Sequence, residues 1–232
     1  MQIDHPVVSR AQWDAARAAF LQREKDLTRA QDALARDRQA LPWVRIDKPY
    51  RFEGPRGPAD LAALFQGRRQ LIVYHFMFGP DWEEGCVGCS FLADHMEGAL
   101  MHLRQHDVTV AAVSRAPYAR LDAFKRRMGW RFDWYSSEGC DFNFDLQASV
   151  PKADGDVEER SGASAFFHDP DGEIFHTYSA FERGVERLAG AYNYLDLAPL
   201  GRNENGPHFN LGDWVRHHDR YDDAKPACHA CG

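Results

Sequence analysis

The sequence predicts an α/β fold: a central mixed sheet flanked by helices, with a long N-terminal helix before it and a C-terminal extension after it. Three observations carry that expectation. The nearly continuous apolar run "QLIVYHFMF" reads as a strand covered on both faces. "VTVAAVS" reads as a second buried strand, with helical spacing between the two. "SAFFHDPDGEIFHTYS" alternates on both sides of Asp169-Pro170-Asp171-Gly172, which is a hairpin pattern.

The bulk numbers agree with a folded domain. At 232 residues the chain can bury a core, and 44% hydrophobic with 27% charged residues is ordinary for a globular protein. A formal charge of −7 argues against nucleic acid or an anionic membrane as partner. "MQIDHPVVSR" has no basic segment leading into an apolar one, and no run reaches the roughly eighteen apolar residues of a membrane span, so a cytoplasmic protein is expected. In that compartment five cysteines are poor candidates for a disulfide framework. Two Cys-x-x-Cys pairs plus Cys140 point to redox work or metal binding.

Each element follows in chain order. "SRAQWDAARAAFLQREKDLTRAQDALARDRQALPW" is one long helix, opened by Ser9 with Gln12 three residues on and closed by Pro42. Trp13, Phe20, Leu27, Leu34 and Leu41 recur every seven residues in a narrow stripe. The helix should lie as an arm on its own domain, or form a homodimer seam with a second copy. "WVRI" and "YRFEG" are short strands, "PRGP" is a turn, and "ADLAALF" is a short helix. After "QLIVYHFMF" comes the loop "GPDWEEG", and a helix is expected from Cys86 or Gly88 to His106. "YARLDAFKRRMGW" is amphipathic and ends at Gly129. "SVPKADGDVEERSG" is acidic and without pattern, so an exposed loop is expected, and a last helical segment covers "FERGVERLAGAYNYLDL". The expected division is an arm over 1–42, a sheet domain over 43–200, and an extension over 201–232. Strand, dithiol helix, strand, helix, hairpin, helix is the thioredoxin order.

The chemistry centres on "GCVGCS". Cys86 falls at the first turn of a helix, where unpaired N–H groups and the helix dipole stabilise a thiolate. Thiols so placed titrate between about 3.5 and 7.5, against about 8.5 for a free cysteine. Cys86 is therefore the expected attacking thiol, and Cys89, three residues on, the resolving one. Glu83 and Glu84 just ahead oppose the dipole. Two other readings stand beside this one: an inert pair, or half of a zinc site completed by Cys228 and Cys231 of the terminal "CHAC", with His229 between them. The tail pair could also pass electrons to a Cys86–Cys89 disulfide, or have no role. Cys140 reads as an incidental small residue, or as an accessory thiol that reaches the dithiol if its loop lies at the same end of the sheet.

Weaker signals are set aside. Asp141, Asn143 and Asp145 match the start of a calcium loop, but Leu146 and Lys152 stand where Gly and Glu belong. His95, His102 and His106 share a helix face without a carboxylate or thiol to complete a metal set. Phosphate-loop and serine-elbow motifs are absent from the sequence.

Over nearly its whole length the chain resembles a bacterial thioredoxin-like family of predicted dithiol-disulfide oxidoreductases, a domain of unknown function. The matching stretches include "ALPWVRIDKPYRFEGP", "QLIVYHFMFGPDWEEGC", "CSFLADH", "FKRRMGWRFDWYSS", "YNYLDLAPLGR" and "WVRHHDRY". The resemblance implies a thioredoxin fold with Cys86 and Cys89 at the active position, and Trp82 and Arg115 near them. Thioredoxins carry a cis-proline before the hairpin strand, and "SGASAFF" has none, which argues against peptide docking of that kind. Peroxiredoxin-type peroxidases are expected to have Thr three residues before the reactive cysteine; Glu83 stands there, so a thiol peroxidase is the second reading. The expected activity is thiol–disulfide exchange without a cofactor or metal, on a disulfide-containing protein or a small thiol or disulfide. A zinc-holding scaffold of the same fold is the non-enzymatic alternative.

Overall fold

Ser9 and Gln12 cap the first helix reciprocally. The structure is a computed structural model and describes residues 5–221. The Ser9 hydroxyl accepts from the Gln12 backbone N–H at 3.3 Å, and the Gln12 side chain accepts from the Ser9 backbone N–H at 3.0 Å. Two otherwise unpaired donors are thereby satisfied. The helix, α1 (Arg10–Gln39), runs for 30 residues and has none of them buried. It belongs to a compact unit whose N-terminal part ends at Pro42; Trp43–Tyr221 is a second compact unit. Among the described residues no helix is long and apolar enough to cross a membrane.

The second unit begins with β1 (Val44–Arg45), β2 (Arg51–Gly54), β3 (Gly57–Asp60) and α2 (Leu61–Leu64), and then enters β4 (Gln70–His75). It continues through α3 (Val87–Asp94), α4 (Glu97–Gln105), β5 (Val108–Ser114), α5 (Tyr118–Arg127), β6 (Asp133–Ser136) and α6 (Phe142–Asp145). Two hairpins follow, β7 (Ser149–Pro151) with β8 (Val157–Glu159) and β9 (Gly162–His168) with β10 (Ile174–Phe181). A 3-10 helix over Glu182–Leu188 and α7 (Gly190–Leu195) come next.

Eight strands form one sheet in the order β1-β10-β9-β4-β5-β6-β2-β3. β4 runs parallel to β5 and antiparallel to β9, which pairs antiparallel with β10. The order β10-β9-β4-β5, with the dithiol helix in the crossover from β4 to β5, is a thioredoxin-like fold. The apolar run of β4 has the cause its sequence suggests. Leu71 and Val73 enter a core with Phe142 and Phe166, while Tyr74 and Phe76 enter the core that holds Cys89, Ala93 and Trp134. Both faces of the strand are covered, so neither tolerates polar alternation.

Four expectations change. The helix expected from Cys86 or Gly88 to His106 is two, broken at His95 and Met96. His95 Nδ1 lies 2.7 Å from the Phe91 carbonyl that its own backbone N–H would meet in a regular turn, and that N–H goes to Leu92 instead. The acidic stretch expected as a loop contains β7 and β8, joined by a turn in which Gly155 has φ +88°. "PRGP" turns as expected, but Gly57 and Pro58 already belong to β3. The boundary expected at residue 200 falls inside the second unit, where Leu211, Trp214 and Val215 pack with Phe91 and Tyr192.

Candidate active site

Beyond β4 the chain turns back on itself. The Cys86 backbone N–H donates to the Met77 carbonyl at 3.1 Å. Gly85 is required at this approach, because a Cβ there would stand 2.6 Å from the Phe76 ring. The return delivers Cys86 to the N-cap of α3, where its sulfur accepts from the Cys89 backbone N–H at 3.4 Å. A hydrogen bond from the Cys89 thiol lowers the Cys86 pKa to about 7, with help from the Cys89 and Gly88 backbone N–H groups and against the effect of burial. The partner thiol thus contributes more than the backbone amides on which the sequence expectation rested.

Cys89 has the opposite fate. It is 1% exposed, and burial pushes its thiol well above the ordinary range, as does the hydrogen bond it gives to Cys86. Hydrogen bonds from Ser161 and Tyr74 pull the other way. The Met77 backbone N–H points at the Cys89 sulfur at 3.4 Å. The Tyr74 hydroxyl donates to the Cys89 carbonyl at 3.2 Å and lies 3.3 Å from the Ser161 hydroxyl. Ser161 lies immediately before β9, in the "SGASAFF" stretch, so the hairpin brings a hydroxyl to the buried thiol.

In front of the dithiol lies a recess of about 610 Å³, with Cys86, Gly88, Cys89 and Ser161 on its floor. Phe91, Val185, Ala189 and Tyr192 form one apolar side. Phe209 and Leu211 form another, and a Cβ on Gly88 would stand 3.1 Å from Leu211 Cδ1. Arg202 reaches the recess with its guanidinium 3.9 Å from the Tyr192 ring centroid, and forks onto Asp196 through two bonds of 2.7 Å.

The acidic residues ahead of the motif are answered from elsewhere in the fold. Glu84 accepts from Arg220 at 2.9 Å and from Arg127 at 2.6 Å, and its carboxyl is held below the usual range, chiefly by Arg220. His217 bridges this group to the motif, with Nε2 3.0 Å from the Gly85 carbonyl and Nδ1 3.4 Å from the Arg127 guanidinium. Glu83 is exposed.

The other residues singled out in the sequence lie in varied places. Trp82 is in the loop before Cys86, half-exposed, with its carbonyl taken by Arg120 at 2.8 Å; it does not line the recess. Arg115 is paired with Glu159 at 2.5 Å, with its guanidinium 5.0 Å from the Phe144 ring centroid, and also does not line the recess. Cys140 packs with Phe142 and Tyr50 in the core on the other face of the sheet from Cys89. Cys228 and Cys231 lie outside the described residues, and with them the zinc alternative. Among the described residues no three histidine, cysteine or carboxylate side chains are grouped to hold a metal. Asp141 and Asp145 both bind Lys48 at 2.7 Å, so this carboxylate pair has a cation of its own. His95 Nε2 accepts the Ala191 backbone N–H at 3.0 Å, tying α3 to the start of α7.

Tyr74, Ser161, Arg127, Arg220 and the recess walls were not anticipated. Tyr74 alone left a signal, since alternation along β4 puts it on the face that leads to the dithiol.

Among curated proteins none matches the chain. Solved structures similar to it include a cysteine-to-serine variant of PrxQ from Xylella fastidiosa, at 14% identity and a TM-score of 0.48, covering 64% of this chain and 88% of that one. The peroxidoxin BcpB from Mycobacterium tuberculosis is similar at 11% identity and a TM-score of 0.49, covering 65% and 92%. A family model matches residues 2–221, a span that includes α1, the dithiol loop and the Arg220 that holds Glu84, and the chain belongs to that family, DUF899, described as a bacterial protein of unknown function.

Proposed function

We propose that the chain is a thiol–disulfide oxidoreductase in which the Cys86 thiolate attacks a substrate disulfide and Cys89 resolves the mixed disulfide. The observation that carries this reading is the split between two neighbouring thiols: Cys86 is lowered to about 7 while Cys89 is pushed far upward. At neutral pH about half of Cys86 is then thiolate, and Cys89 keeps its proton and donates it to that sulfur.

The second step follows from the first. Once Cys86 is bonded to a substrate sulfur its negative charge has left with the departing thiolate, and the Cys89 proton has lost its anionic acceptor. Cys89 must then ionise in a buried site. The Met77 N–H and the Ser161 hydroxyl are the donors that stabilise the new thiolate as it attacks the Cys86 sulfur, with the Tyr74 hydroxyl held between Ser161 and the Cys89 carbonyl. Ser161 also faces the recess, where the first departing thiolate can take up the released proton.

Alkylation of Cys86 followed against pH should show a midpoint at about 7. Cys86→Ser should abolish cleavage of a model disulfide, and Cys89→Ser should accumulate the mixed disulfide. A midpoint near the roughly 8.5 of a free thiol, with disulfides left intact, would end the reading. Thiol-dependent peroxide consumption without disulfide cleavage would make the chain a thiol peroxidase instead.

A further inference from the structure

Resting on the oxidoreductase reading, we infer that the recess selects a low-molecular-weight disulfide with an uncharged, largely apolar body, in preference to anionic disulfides and folded proteins. Three observations lead there.

The first is access. Cys86 and Cys89 both line the recess, and the segment carrying Phe209 and Leu211 stands over the Cys-x-x-Cys turn, close enough that Gly88 has no room for a side chain without displacing Leu211. A substrate disulfide must enter this space to reach Cys86. A volume of about 610 Å³ suits a small molecule, and Leu211 against the Cys-x-x-Cys turn hinders the approach of a disulfide fixed on the surface of a folded protein.

The second is charge. Glu182, Glu186 and Glu204 reach the recess against Arg183 and Arg202, so acidic side chains outnumber basic ones. Both arginines are already engaged: Arg202 holds Asp196 and, at 3.4 Å, Glu186, while Arg183 holds Glu186 at 3.2 Å. Glu204 accepts the Tyr192 hydroxyl at 2.8 Å, and Glu182 is paired with Arg160 at 3.3 Å. A substrate carboxylate entering here would have to break one of these pairs or face a surplus of negative charge, and either costs affinity.

The third is the surface that remains for contact. With the ionic groups self-paired, a ligand meets Phe91, Val185, Ala189, Tyr192, Phe209 and Leu211, which reward apolar area.

The exchange balances without a further reactant in one turnover. The Cys86 thiolate forms a bond to one substrate sulfur and the substrate S–S bond breaks, releasing one thiolate. Cys89 gives up its proton, attacks the Cys86 sulfur, and releases the second. The substrate gains two electrons and leaves as two thiols, one taking the Cys89 proton and the other a proton from water, which received the Cys86 proton when that thiol ionised; the protein is left with a Cys86–Cys89 disulfide. Continuous turnover requires an external dithiol reductant.

The test is single-turnover oxidation of the pre-reduced full chain by four probes: dithiodipyridine (neutral, aromatic), dithiobis(nitrobenzoate) (dianionic, aromatic), glutathione disulfide and insulin. Each rate is divided by that of the same probe with free cysteine thiolate, or with a small dithiol for insulin. The neutral probe should lead the dianionic one and glutathione disulfide by about tenfold or more after this normalisation, and its rate should saturate. Insulin should be slowest, and Leu211→Ala, which lowers the wall, should raise the insulin rate while weakening saturation by the neutral probe. Equal normalised rates for charged and neutral probes, or insulin reacting as fast as the neutral probe, would overturn the substrate assignment and leave the oxidoreductase reading standing. No oxidation of the Cys86–Cys89 pair by any of the four would end both.

Discussion

On one face of the central sheet the Cys86 sulfur lies against a thiol and two backbone N–H groups; on the other, His75 is sealed among aromatic rings with Nδ1 unpartnered. His75 ends β4 and Cys86 lies at the far end of the loop that leaves it, and burial acts on both. It drives the His75 pKa down to about 3, toward the neutral imidazole. It also opposes ionisation of Cys86, yet that thiol is lowered to about 7 because hydrogen-bond donors outweigh desolvation. Burial by itself thus holds a group neutral, and burial combined with fixed donors lets one ionise more readily. Cys89 makes the same point within a single motif, since it shares the turn with Cys86 and is pushed the other way.

The largest effect that can break this comparison belongs to His75. Its Nε2 is bonded to the Ser164 hydroxyl at 2.7 Å, and its ring lies 6.0 Å from those of Phe142 and Phe181. The folded pKa of about 3 lies below the ordinary value of about 6.5, so protons bind more tightly to the unfolded chain. The contribution to stability is complete above pH ~6.5 and is lost as pH falls toward ~3, at up to about 1.4 kcal/mol per pH unit. Denaturant unfolding should show the chain losing about 2 kcal/mol more between pH 7 and pH 5 than His75→Gln, which can still donate to Ser164 but does not titrate. Parallel pH profiles for the two proteins would mean that His75 is hydrated and that the two faces are less different than the contacts indicate.

These two faces also differ in how far their chemistry could be read in advance. The placement of Cys86 and Cys89 at a helix start is legible because such a start is local: the glycine, the spacing and the preceding strand all lie close by in the chain. The turn at Asp169–Gly172 was legible for the same reason, with the Asp169 carboxylate accepting the Asp171 and Glu173 backbone N–H groups and Gly172 at φ +91°. Ser161 was not, because its value comes from β9 pairing with β4 and carrying a hydroxyl to a thiol far away in sequence. Arg220 lies in a stretch without periodic pattern, held by single buried residues such as Val215 and His217. The break between α3 and α4 is not legible in the sequence, because periodicity records which faces are apolar, and not that a histidine ring takes a backbone carbonyl.

A smaller effect is expected at Ser161, where the comparison can be sharpened. If donors make the buried Cys89 usable, Ser161→Ala should slow resolution of the mixed disulfide about tenfold, seen as its transient accumulation in rapid-quench experiments. Ser161→Thr, which keeps the hydroxyl, should recover most of the rate. Loss of rate in both variants would instead indicate packing against Tyr74 as the role of this residue.

The smallest effect tests whether charge next to the motif matters at all once the donors are in place. Glu84 lies two residues before Cys86, and a free carboxylate there would disfavour the thiolate. Arg127 and Arg220 cancel it, but both ion pairs are partly exposed, where such interactions are weak and screened by salt. Arg220→Gln should therefore raise the alkylation midpoint of Cys86 by only a few tenths of a pH unit, and less at high ionic strength. Adding Glu84→Gln to that variant should return the midpoint to its starting value, because the uncancelled charge is then gone. A rise that persists in the double variant would show that Arg220 acts through the position of the loop, and no rise in the single variant would leave the thiol and amide donors to set the Cys86 pKa alone.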